Sequence, residues 1–274
     1  MQPIFIKEIE IVGLWGRKHF LWQNIQPDVN ILVGINGSGK STLIHLLWGV
    51  LTANYKHLKK YDFSEVKLTY SDDSQITYDN SGKNAQKLLH TIPVDLVSTF
   101  DVVHSKIQKT ESPLYTDLLN IIYTTGNGKF SFFDYRLKAV NFPDEAPVIH
   151  ANIKGLFDLV NKQFGRTGKS IRIDIHTNKI VFDRDGGTIP LEKLSSGEKQ
   201  FLLIMFKIFL MERKPFILLM DEPEISLHID WQFELINVIR ELNPNCQLIM
   251  STHSPSIFGD GWGDRITFAD DITG

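Results

Sequence analysis

Residues 29–51 read VNILVGINGSGKSTLIHLLWGVL: an apolar run, a glycine-rich loop and a second apolar run in succession. VNILV has the continuous hydrophobicity of a strand buried on both faces. STLIHLLWGVL carries its apolar residues on one helical face. Between them GINGSGKST, residues 34–42, fits the pattern G-x-x-x-x-G-K-[ST] with Gly34, Gly39, Lys40 and Ser41 at the defining positions. The glycines let the backbone fold its N–H groups inward around phosphate oxygens, and the helix that follows adds its partial positive charge. In such a loop Asn36, Gly37 and Ser38 complete the cradle. Lys40 reaches the β- and γ-phosphates, the Ser41 hydroxyl ligates Mg²⁺, and Thr42 bonds the α-phosphate.

A second stretch, FILLMDEPE (216–224), is a fully apolar strand that ends in two carboxylates, Asp221 and Glu222. Burying charge is costly without a partner, so a pair placed there signals chemistry. Ligand chemistry in parallel sheets gathers at the carboxyl ends of strands. Asp221 is the expected holder of Mg²⁺ through water. Glu222 is the expected polariser of the attacking water. A third run, QLIMSTHSP (247–255), ends at Thr252 and His253, and His253 is placed to meet the γ-phosphate and orient the carboxylate.

KLSSGEKQFL (193–202) opens a helix that is apolar nearly all round, and hence buried. A serine cap among small residues at a helix N-terminus is an anion site. The phosphate loop already takes the γ-phosphate from one side. A second anion site therefore points to a second subunit, with two copies head to tail around two ATP molecules.

Taken in order, GINGSGKS, LSSGEKQ, MDEPE and STHSP resemble an ABC-type ATPase, more narrowly the RecF/SMC/OLD-like branch that includes compact AAA-family ATPases of bacterial defence systems. The resemblance covers the first fifty and the last eighty or so residues. It implies an α/β P-loop NTPase fold: an ABC-ATPase head with a mixed β-sheet core and an inserted α+β lobe. Residues 1–51 and 191–274 would form the nucleotide-binding core, and 52–190 the insert. It further implies slow ATP hydrolysis with Mg²⁺, Glu222 and His253 as catalytic residues, and Ser195, Ser196, Gly197 and Glu198 as a signature acting on the partner's nucleotide. Arg17, in GLWGRKHF (13–20), stands where related ATPases place a basic residue near the nucleotide, beside Lys18 and Trp15. Two features depart from transporter cassettes: Ser196-Gly197-Glu198 replaces Gly-Gly-Gln, and EISLHID (224–230) replaces the usual loop after the acidic strand. The glutamine that normally follows a core strand is represented only by Gln108.

Net charge is −3, from 29 Lys and Arg against 32 Asp and Glu, which argues against a broad nucleic-acid footprint. Segment 52–130 balances nine lysines with nine acidic residues. Its densest basic cluster, KHLKK (56–60), reads as a solvated helix end. One cysteine, Cys246, cannot form an intramolecular disulfide, and no window is apolar enough to span a bilayer, so the expected location is the cytoplasm. No heptad run appears between 52 and 190, and no nuclease sequence follows STHSP; the expectation is a stand-alone head whose effector chemistry lies on another chain. The partner classes this implies are a nuclease, a toxin or a reverse transcriptase. DNA, as for a RecF-like repair ATPase, is the alternative, and a transporter subunit is a third reading.

Overall fold

The computed structural model describes residues 3–80, 92–98, 112–124, 130–259 and 261–274. The alternating N-terminal run forms β1 (Ile6–Leu14) and returns as β2 (Lys18–Trp22). β3 (Val29–Val33) leads through the glycine loop into α1 (Lys40–Leu51), and one turn of helix, α2 (Tyr55–Leu58), follows. β4 (Glu65–Tyr70) and β5 (Gln75–Asp79) form a hairpin that turns at Ser71–Ser74; β6 (Val94–Ser98) follows. Three helices come next: α3 (Pro113–Tyr123), α4 (Phe132–Asn141) and α5 (Ala146–Phe164). A three-stranded meander follows, β7 (Ser170–Ile173), β8 (Ile180–Arg184) and β9 (Gly187–Pro190). Its second turn is centred on Asp185 and Gly186, both at positive φ. The chain then alternates: α6 (Ser196–Phe209), β10 (Phe216–Asp221), α7 (Ile229–Leu242), β11 (Cys246–Thr252) and β12 (Ile266–Phe268).

Five strands make a wholly parallel sheet in the order β12-β3-β11-β10-β6. A separate antiparallel sheet runs β2-β1-β4-β5. Strand alternation divides the core. Ile217, Leu219, Ile249 and Leu32 face one way, onto α1 and the antiparallel sheet. Phe216, Leu218, Met220, Leu248 and Met250 face the other way, onto α3–α7. The inner strands β3, β11 and β10 bury both faces, which is why their sequences are nearly continuous apolar runs. The buried amide of Gln247 ties the two sheets together: it accepts from the Ile6 N–H at 2.9 Å and donates to the Ile6 carbonyl at 2.7 Å.

On the helical side, Phe164, Phe201 and Trp231 stack with ring centroids 5.0 to 5.1 Å apart along the contacts to Trp231, and Phe182 extends the stack at 5.0 Å from Phe164. Such contacts add roughly 0.5–1.5 kcal/mol each beyond simple burial. They fix α5, α6 and α7 against one another. The segment 52–190 is not all peripheral: β4 and β5 extend the sheet begun by β1, and β6 is an edge strand of the parallel sheet.

Candidate functional site

β3, β11 and β10 are neighbours in one parallel sheet, so their carboxyl ends bring three distant sequence motifs together. Gly34 follows Val33, which pairs with Thr252; Asp221 pairs with Ser251. A cleft of about 330 Å³ opens there. Asn36, Gly37, Gly39, Lys40, Ser41 and Thr42 line it, with Trp15, Glu222 and His253.

The loop geometry follows from its residues. Gly39 caps α1 with φ +109°, and a Cβ there would lie 2.7 Å from the Phe20 ring, so neither the dihedral nor the space admits another residue. No side chain caps the first turn of α1, which leaves its N–H groups for an anion. Ser38 Oγ is likewise buried without a hydrogen-bond partner. Lys40 is 3% exposed, and its Nζ donates to the carbonyls of Gly34 at 2.8 Å and Ile35 at 3.1 Å. Burial pushes its pKa down, while the carboxylates of Glu222, Asp221 and Glu224 pull the other way.

Asp221 is fully buried at the end of β10. Its Oδ1 accepts from the Ser251 hydroxyl at 2.5 Å. Its Oδ2 has no hydrogen-bond partner, and His45 Nε2 lies 3.7 Å from it. Burial opposes the charge, but the polar neighbours His45, Ser251 and Ser41 together hold the carboxyl below the usual aspartate range. A buried, ionised, under-coordinated carboxylate oxygen beside a serine hydroxyl is the oxygen-donor set that Mg²⁺ takes alongside substrate phosphates. Asp221 and Ser41 would hold that ion, which when bound neutralises charge on the β- and γ-phosphates.

Glu222, the next residue, sits in the left-handed region at φ 48°. Non-glycine residues hold that conformation where the surroundings impose it, and such strain gathers at functional sites. Here its N–H donates to the Ser251 carbonyl at 3.0 Å, and its Oε1 lies 3.1 Å from His253 Nε2. Burial, then the charge of Asp221, raises its pKa above the ordinary glutamate value, while His253 and Lys40 pull it back. The sequence reading gave Glu224 no role. Its Oε1 accepts from Thr252 Oγ1 at 2.6 Å and from the His253 N–H at 2.8 Å, and so fixes the backbone that carries His253. Two other residues escaped the sequence reading, His45 and Ser251, whereas Trp15, named there beside Arg17, does line the cleft. His45 follows Ser41 by four positions on α1, which alone put it on the same helical face.

The signature turn lies in a different cleft, of about 610 Å³, with Ser195, Ser196, Gly197 and Glu198 along its wall. Ser195 and Glu198 form a capping box: the Glu198 N–H donates to Ser195 Oγ at 3.2 Å, and the Ser195 N–H donates to Glu198 Oε2 at 2.8 Å. Lys169 holds the other oxygen of Glu198 at 2.5 Å. The glutamate expected among the signature residues is thus engaged within its own chain. Gly197 approaches the next loop so closely that a Cβ would stand 2.2 Å from the Ser226 carbonyl oxygen. Arg17 is exposed on the β1–β2 turn and is not among the residues lining the loop cleft, whereas Trp15 is. Gln108 lies outside the described residues.

In strand order, phosphate loop, paired carboxylates and the helix that follows the serine turn, the fold is that of a P-loop ATPase head similar to SMC heads. An AAA ATPase domain family matches residues 134–258. The chain is 26% identical to the Septu protein PtuA of Bacillus thuringiensis over 92% of its own length and 72% of that protein's. A retron Vc95 probable ATPase of Vibrio cholerae is 28% identical over 32% of this chain and 20% of its own length. Among solved structures, an SMC head bound to the C-terminal winged-helix domain of ScpA superposes with a TM-score of 0.57 at 16% identity, covering 93% of this chain and 91% of that one. No helix among the described residues is long and apolar enough to cross a membrane.

Proposed function

We propose that this chain is an ATP-hydrolysing switch: two copies pair head to tail around two ATP molecules, and the cycle of pairing and opening controls a separate effector in a bacterial anti-phage defence complex. One observation carries the reading. The phosphate loop and the N-terminus of α6 line two different clefts of the same chain, so neither cleft holds a complete hydrolytic site. A second copy, turned to present its α6 to the first copy's loop, completes both. Glu222 then accepts a proton from the water that attacks the γ-phosphorus. Its raised pKa suits a base working closer to neutral pH. His253 fixes the direction of that carboxylate. Likeness to a Septu protein and to a retron ATPase supports the defence setting, and an SMC head bound to another protein offers a precedent for control of a separate chain.

The test uses the Glu222→Gln variant with ATP, which should trap the closed pair at twice the monomer mass in light scattering. Ser195→Arg in the same background should bind ATP and remain monomeric. Purified from its native host with ATP, the trapped form should carry a nuclease, a toxin or a reverse transcriptase. An unchanged mass with ATP would overturn the pairing. Recovery of DNA or repair proteins alone would replace the effector by the RecF-like alternative.

A further inference from the structure

The cleft at the N-terminus of α6 contains a side chain that helix capping does not explain. Gln163, in the last turn of α5, is 2% exposed, and its Oε1 has no hydrogen-bond partner. The residue is held in place by its backbone carbonyl, which accepts from Trp231 Nε1 at 3.2 Å. Leaving a buried amide oxygen unsatisfied costs roughly 1–3 kcal/mol. Nothing in the packing of α5 requires that cost, and an apolar residue of the same size would avoid it.

Three residues further on, Arg166 lines the same cleft beside Ser195 and Ser196. Its Nη1 pairs with Asp230 Oδ2 at 3.1 Å, with both side chains about half exposed. A pair so open to water contributes about 1 kcal/mol or less, so a better anion exchanges for it easily. Arginine binds phosphate through two parallel N–H donors, a stronger arrangement than one surface carboxylate offers. Glu198 in this wall is engaged by Lys169, and Asp230 also lies 3.6 Å from His228 Nδ1. Arg166 is the arginine of this cleft placed to meet an incoming anion.

We propose that Arg166 and Gln163 act on the nucleotide held by a second copy's phosphate loop: Arg166 pairs with the triphosphate, and Gln163 accepts from a hydroxyl or amino donor of the nucleoside. The inference rests on the head-to-tail reading above. It adds a trans-acting cation to the serine turn and gives the orphaned amide a function. Asp230 holds the arginine until the copies meet.

Trans complementation tests it. Arg166→Ala should bind ATP at its own loop as wild type does, yet lose about 1,000-fold in turnover, the lower end of the range for arginines that act in trans. Arg166→Lys should restore part of that loss. Lys40→Ala should be inactive because it binds no ATP. Mixing Arg166→Ala with Lys40→Ala should recover turnover, since the mixed pair holds one composite site with an intact loop and an intact pocket. Ser195→Arg mixed with Lys40→Ala serves as the control. Recovery in the control but not with Arg166→Ala, or full turnover of Arg166→Ala by itself, overturns the inference and leaves the head-to-tail reading standing. No recovery in either mixture sinks that reading as well. For Gln163, the Gln163→Leu variant should melt higher and need more ATP to pair; pairing at the wild-type ATP concentration would remove Gln163 from the proposal.

Discussion

His253 Nε2 lies 3.1 Å from Glu222 Oε1, at the ends of two adjacent parallel strands whose last paired residues are Ser251 and Asp221. In the proposed mechanism this contact joins a proton acceptor to the group that orients it. Glu222→Gln should therefore bind ATP normally and lose at least about 100-fold in kcat. His253→Ala should lower kcat with little change in ATP affinity. Single-turnover and binding assays on the same preparations separate the two effects.

The pH profile carries a second expectation. Glu222 must be deprotonated to accept a proton, so turnover should rise with pH through its pKa. Burial and Asp221 place that pKa above the ordinary glutamate value. The acid limb of kcat/KM should lie correspondingly high. Removing His253, which pulls the pKa down, should move the limb to higher pH still. A limb that stays fixed in His253→Ala would separate the two residues.

Gly197→Ala tests the joint between α6 and the loop after β10. The added Cβ would stand 2.2 Å from the Ser226 carbonyl, so the helix or the loop must shift. ATP binding at the phosphate loop should survive, while turnover falls sharply. Thermal melting would register the overpacking, typically about 1–3 kcal/mol.

Lys169→Met leaves Glu198 buried at 4% exposure without its cation. The expected destabilisation is about 3 kcal/mol, seen in denaturant titration. Burial raises the Glu198 pKa, but the hydrogen bonds from Lys169 and Ser195 outweigh it, and the net shift is downward. A depressed folded pKa gives stability that is present above the ordinary glutamate value and lost as pH falls through the folded one. That acid-side loss should be much weaker in Lys169→Met.

Cys246 is fully buried, and burial pushes its thiol up to about 12. A thiol reagent should not label the native protein at neutral pH, and labelling should track unfolding. Fast labelling without denaturant would show that the start of β11 opens locally.

The nucleotide loop, the paired carboxylates and the buried strands were legible because each is contiguous in sequence and each obeys one periodicity. α4 was not legible: FFDYRLKAVN buries only Phe132 and Tyr135, and its clearest signal is the Ser131–Asp134 capping box. Nothing local said that β6 would pair with β10, since parallel partners are joined by long crossovers and can lie far apart in sequence. His45 and Ser251 were missed for the same reason. Both serve Asp221 from neighbouring elements, a relation that exists only after the sheet and α1 are packed. Gln163 gave no signal because an unsatisfied amide is invisible until its surroundings are known.

The signature helix and the loop after β10 are bolted together inside each chain: Gln200 donates to the Pro223 carbonyl at 3.0 Å, one residue beyond Glu222, and Gly197 abuts Ser226. In a head-to-tail pair the loop after β10 belongs to one active site and the signature helix to the other. Loss of phosphate at the first therefore tugs on the grip around the second. Two ATP molecules so linked behave as a ratchet with a single release, not as two independent clocks. The rate against ATP concentration should be sigmoidal, and a pair with one intact site should turn over at less than half the rate of the wild-type pair.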